Sequence, residues 1–162
     1  MNKKGVSTVV ETVLLILITM AAVVLVSAFV INLVRTNLDK GKTCYELQEY
    51  FKLSESGTSC TNTTTTKLMI ERSNEDKETQ GFIVSLSTED ESTPYTIKSG
   101  TDGSAIGGVK MGNGSTTLAL PGPGEAKTYL FNKTNVRAAD ISVLNNAGKS
   151  CDKFSYPISV CN

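Results

Sequence analysis

Thr12-Val13-Leu14-Leu15-Ile16-Leu17-Ile18-Thr19-Met20-Ala21-Ala22-Val23-Val24-Leu25-Val26-Ser27-Ala28-Phe29-Val30-Ile31-Asn32-Leu33-Val34 is the stretch that decides the fold. It holds no charge, no glycine and no proline. At about 1.5 Å of rise per residue it makes a helix about 35 Å long. That length covers a hydrocarbon layer of about 30 Å with some tilt. A helix apolar all round must be buried in lipid or among like helices, so this segment cannot stand alone in water. Arg35, Asn37, Asp39 and Lys40 end the run, and Gly41 is the expected helix stop.

The rest of the chain has another character. Beyond residue 40 it is rich in Ser, Thr, Gly, Asn and charge. With 16 basic and 16 acidic residues the net charge is zero, which gives no electrostatic ground for nucleic-acid binding. There is no His and no Trp, so the commonest general base and metal ligand is missing.

All four cysteines, Cys44, Cys60, Cys151 and Cys161, lie beyond the apolar segment and none forms a C-x-x-C pair. An even count at wide spacing fits two disulfides in an oxidising compartment rather than a zinc or redox site. Three pairings are open. The expected one is sequential, Cys44–Cys60 with Cys151–Cys161, and the nested pairing is its main rival. Sequons at Asn62, Asn113 and Asn132 point to the same compartment, if the chain is exported and a glycosylation system exists.

Three readings compete for the N-terminus. A secretory signal peptide would use Val13–Leu25 as its apolar region and Val26-Ser27-Ala28 as its cleavage site. Against it, Phe29-Val30-Ile31 continues the apolar run and Glu11 interrupts the basic flank. An uncleaved membrane anchor is the second. Charge bias does not orient it, because Lys3 and Lys4 are balanced by Arg35, Lys40 and Lys42. The cysteines and sequons set the head outside.

The third rests on specific residues. Lys3-Lys4-Gly5-Val6-Ser7-Thr8-Val9-Val10-Glu11-Thr12, followed by Val13-Leu14-Leu15-Ile16-Leu17-Ile18-Thr19, closely resembles the start of archaeal type IV pilins. In that family a basic pair and a small residue precede the scissile bond, and V-S-P-V-I-like residues lead into an apolar run ending I-T. The likeness covers the first fifth of the chain. Two positions depart from the pattern: Thr8 stands at the usual Pro, and Glu11 where small or apolar residues are common. The resemblance implies that a prepilin peptidase cuts between Gly5 and Val6. It also implies that an assembly ATPase and a platform membrane protein extract the subunit from membrane lipid into a homopolymeric surface filament, for adhesion or motility. An archaellin and a minor pseudopilin are near alternatives. A single-pass membrane-anchored binding protein is the alternative from another class.

Bacterial type IV pilins carry a Glu at the fifth mature position; here Glu11 would be the sixth. Residues five apart on a helix are rotated by about 140° and separated by about 7.5 Å, so Glu11 and its own Val6 amine do not share a face. A charge buried unpaired costs several kcal/mol. The expected partner is therefore the Val6 amine of a neighbouring subunit, with Glu11 setting register during assembly. Thr8, Glu11, Thr12 and Thr19 fall within an arc of about 100°, a stripe able to hydrogen-bond between helices.

From Cys44 onward, short apolar or β-branched stretches recur between turn signals. The expected strands are Lys67–Glu71, Gly81–Ser87, Tyr95–Lys98, Thr116–Leu120, Thr128–Phe131, Ile141–Leu144 and Ser155–Val160. Pro121-Gly122-Pro123-Gly124 is expected to close a hairpin. Thr61–Thr66 reads as a polar linker, Ser73–Gln80 and Ser87–Thr93 as charged turns, and Gly103–Gly108 as a plain turn. Neither Glu89-Asp90-Glu91 nor Asp102-Gly103-Ser104 has an ordered Ca²⁺-ligand spacing. No nucleophile, base and orienting group can be assembled, so no catalytic residue, metal or cofactor is expected. The fold expectation is α+β: a leader over 1–5, an apolar helix over 6–40, and a sandwich-like all-β head over 41–162.

Overall fold

The computed structural model describes residues 3–54 and 59–161, with side chains left out over 3–9 and 36–43. It has the α+β layout, one long helix and then a two-sheet β unit. The chain divides into two compact units, Met1–Lys42 and Thr43–Asn162.

Helix α1 runs Lys3–Glu46, through Gly41, where the sequence led us to expect a stop. One glycine in a helix interior costs about 1 kcal/mol, too little to break a ladder already propagating. The helix ends instead in a turn over Leu47–Tyr50, where Glu49 takes a left-handed φ of 55°. Leu47 and Tyr50 are buried on either side of it, which holds a non-glycine residue in that conformation.

The second unit is built from strands β1 (Phe51–Leu53), β2 (Cys60–Thr61), β3 (Thr66–Arg72), β4 (Gly81–Ser87), β5 (Ser92–Ile97), β6 (Lys110–Met111), β7 (Ala126–Phe131), β8 (Ala138–Leu144), β9 (Ser150–Pro157) and β10 (Ser159–Val160). One sheet runs β10-β2-β3-β7-β6, with β1 also on β3; the other runs β5-β4-β8-β9. Strand β4 alternates as its sequence predicts: Phe82, Val84 and Leu86 point into the core, while Ile83, Ser85 and Ser87 are half-buried. Aromatic rings bridge the sheets. Phe82 of β4 lies 4.7 Å from Phe51 of β1 and 5.7 Å from Tyr129 of β7, and Tyr95 of β5 lies 5.1 Å from Phe131 of β7. Edge strands β5 and β9 carry Pro94 and the pair Asp152-Lys153, residues that oppose further pairing.

Three expectations are corrected. Thr116–Leu120 forms no strand; Asp102 and Thr117 make only an isolated bridge, flanked by backbone hydrogen bonds from Gly100 and Gly103 to the Leu118 and Thr116 carbonyls, and side chains hold the last two residues. Tyr129 Oη donates to the Ala119 carbonyl at 2.7 Å, and Lys127 Nζ to the Leu120 carbonyl at 3.0 Å. Pro121–Gly124 therefore closes no hairpin and simply turns the chain into β7. The short strands β1, β2 and β6 carry too few residues to show a period and were not expected.

The third correction concerns the disulfides. They join Cys44 to Cys151 and Cys60 to Cys161, with Cα atoms 5.2 and 5.0 Å apart, an interleaved pairing that is neither sequential nor nested. The parallel β2–β10 pairing brings Cys161 to Cys60 and so excludes the nested arrangement, and the length of the C-terminal strands excludes the sequential one. Cys151 and Cys161 flank an almost continuously extended run through β9 and β10, about 33 Å at 3.3 Å per residue. A disulfide needs Cα atoms within about 7 Å.

Candidate functional site

The Val10–Arg35 part of α1 has a mean hydropathy of 3.0, and none of it is buried. Large apolar side chains stand open on every face, from Val34 at 45% exposed to Leu25 at 72%. Among the described residues, nothing in the second unit does the same on this scale; of its large apolar residues, Tyr45 and Val160 are the exposed ones. By length and composition the helix is able to cross a membrane.

Polar groups on this surface are few. Glu11 and Arg35 are exposed near its two ends. Thr19 Oγ1 donates to the Ile16 carbonyl at 2.9 Å, so its proton is used within its own helix. This leaves Thr19 only as an acceptor in the expected polar stripe. Gly5 and Val6 lie in the helical backbone, and the side chains of Lys3, Lys4, Val6 and Thr8 fall outside the described residues.

In the β unit, Asn62, Asn113 and Asn132 are all exposed. Asn62 Oδ1 accepts from the Thr64 and Thr65 amides at 2.8 and 2.7 Å, so the Thr-rich run is a tight Asx-type turn between β2 and β3. Asn113 Oδ1 accepts from the Ser115 amide at 3.0 Å. Asn132 follows β7 and lines a cleft of about 790 Å³ formed by loops 88–91 and 132–137 with β10. Two ion pairs cross the cleft, Lys133–Glu91 and Arg137–Glu89, the latter at 2.9 Å. The Glu91 carboxylate, hydrogen-bonded to Lys133, holds that ammonium's pKa above its ordinary value. Glu89 and Glu91 are thus held against cations, and Asp102 caps a short 3-10 helix over Gly103–Ile106 by accepting from the Ser104 amide at 3.0 Å.

Sequence reasoning did not find the cleft, because its two loops lie more than forty residues apart and meet only through the β4–β8 pairing. It also missed Tyr50, which is 2% exposed and whose hydroxyl accepts from Arg72 Nε at 2.7 Å and the Lys77 amide at 3.0 Å.

The sequence matches no protein-family model, and no curated protein is similar to it.

Proposed function

We propose that this chain is the structural subunit of a type IV pilus-like extracellular filament. The observation that carries the proposal is the helix itself, apolar on all faces, unburied over Val10–Arg35, and continued into a disulfide-bonded β unit. Such a surface needs an apolar environment in every state of the protein. Lipid supplies it before assembly, and the helices of other copies supply it afterwards. The exchange keeps the apolar surface covered while hydrophilic β units coat the outside. The short leader Met1–Gly5 adjoining this helix fits removal between Gly5 and Val6. Glu11 would then set register, and Asn62, Asn113 and Asn132 stand exposed for glycosylation.

A single-pass anchored binding protein is the second reading, and the cleft beside Asn132 favours it. The N-terminus of the mature protein separates the two. Val6 supports the filament subunit and Met1 the permanent anchor, while Phe29 would mean a secreted soluble domain. Electron microscopy and mass spectrometry of sheared surface filaments complete the test. Absence of the chain from every filament fraction despite good expression would sink the filament reading.

A further inference from the structure

Over the exposed span Val10–Arg35, α1 carries one acid and one base, Glu11 and Arg35, with no charge between them. Neither forms a salt bridge among the described residues. Twenty-four positions of helix separate them, about 36 Å of rise, and they leave the axis on faces about 120° apart.

This spacing suits two environments. In a bilayer with a hydrocarbon layer of about 30 Å, each charge reaches its own headgroup layer. Among packed helices there are no headgroups, so an unpaired charge must find a partner on another copy. Parallel helices packed in register would set Glu11 beside Glu11 and Arg35 beside Arg35. Like charges in a low-dielectric interior repel, which opposes that arrangement. Antiparallel packing is closed to subunits drawn from one membrane with their β units on the same side. Parallel helices displaced by one charge spacing bring the acid of one copy against the base of the next.

We propose that Glu11 pairs with Arg35 of a second copy displaced by about 36 Å along the filament axis, making the two charges that bracket the span its assembly register. The inference rests on the filament reading above. Because the charges lie on different faces, each copy offers Glu11 to one neighbour and Arg35 to another. Such a heterologous contact propagates without closing, as a filament requires. The neighbour's Val6 amine is the competing partner for Glu11, and it demands a displacement of only about 7.5 Å.

The test uses the full chain in a host that displays the filaments. Copies bearing Glu11→Cys and copies bearing Arg35→Cys are co-expressed with the unaltered chain, so that assembly continues. Sheared filaments are oxidised mildly and mapped by peptide mass spectrometry. Cross-links between positions 11 and 35 should exceed 11–11 and 35–35 links at least tenfold. Arg35→Ala should lower filament yield at least tenfold with the membrane-inserted precursor unchanged, and Arg35→Lys should stay within threefold of the unaltered chain. Filaments that lack 11–35 links, or that form normally with Arg35→Ala, overturn the pairing and leave the filament reading standing. If the unaltered chain enters no filament, both fall.

Discussion

Cys44, in the last turn of α1, is bonded to Cys151 at the start of edge strand β9, closing a loop of 107 residues. Cys60–Cys161 closes an overlapping loop of 101 residues and fastens the other end of the same C-terminal segment. That segment supplies β9 to one sheet and β10 to the other, and β10 is held by only a two-residue parallel pairing with β2. The disulfides thus fasten both ends of a segment whose last strand has only two paired residues.

Interleaving makes the two bonds non-additive. Alone, either closes a loop of about 100 residues, worth about 4.7 kcal/mol in the chain-entropy account. With one in place, the other closes a path of only about 26 residues, worth about 3.5 kcal/mol. Replacing either pair by serine should therefore cost about 3.5 kcal/mol, and replacing both about 8 kcal/mol. Urea unfolding of the detergent-solubilised chain, followed by near-ultraviolet tyrosine dichroism, measures this. Sequential pairing would close two separate short loops and give additive costs, whereas nested pairing closes the same path of about 26 residues. Peptide mapping of the unreduced chain therefore decides between interleaved and nested.

Phe82 is fully buried between Phe51 and Tyr129, so it carries the contact between sheets. The core has few other large rings to close over a gap. Phe82→Ala should destabilise the β unit by about 3–5 kcal/mol, and Phe82→Leu by about 1 kcal/mol. The same unfolding measurement checks both, with an intact α1 signal in far-ultraviolet dichroism.

Legibility in the sequence followed the length of each regular pattern. The apolar run and the alternation in Phe82-Ile83-Val84-Ser85-Leu86 were plain, because each extends over enough residues to show a period. Strands of two or three residues, such as β2 at Cys60–Thr61, have no period and exist through their partners. Thr116–Leu120 misled for the converse reason: it is apolar enough for a strand, yet it meets the irregular 100–103 segment instead of a partner strand, and Tyr129 and Lys127 satisfy the carbonyls of Ala119 and Leu120 from their side chains. Disulfide connectivity depends on which sheet Cys151 and Cys161 enter, which no local pattern encodes. Of the candidate site, the helix and its charges were readable, while the cleft arises only from tertiary pairing.

Asp140 gives the β unit an acid dependence. Burial raises its pKa, but hydrogen bonds from Ser155 and Lys153 and the Lys153 charge outweigh it, leaving the carboxyl below its ordinary value. Lys153 Nζ donates to Asp140 Oδ2 at 2.9 Å. A depressed folded-state pKa means stability that is present above the unfolded value, about 3.9, and is lost as pH falls through the folded value. Asp140→Asn should cost about 1–2 kcal/mol at pH 7, and that difference should shrink as pH drops below about 4. Urea midpoints measured from pH 7 to 2 test the sign. A difference that grows toward low pH would refute it.

One lysine at Val23 should separate lipid span from filament contact. The sixteen Leu, Ile, Val and Phe residues of Val10–Arg35 contribute about −0.3 to −0.6 kcal/mol each to membrane insertion at central positions, some 5–10 kcal/mol in sum. A central lysine costs about 3 kcal/mol on the same scale, so the span still inserts. In lipid its ammonium is eased by snorkelling and local thinning of the bilayer. Packed among other helices it has neither relief, and the same cost recurs in every subunit. Val23→Lys should accordingly leave the chain in the membrane fraction at near-normal amount while filament yield falls at least tenfold. A permanent anchor predicts no second defect, because its helix never leaves the bilayer. Carbonate extraction of membranes, run beside quantification of sheared filaments, reads both outcomes from one culture.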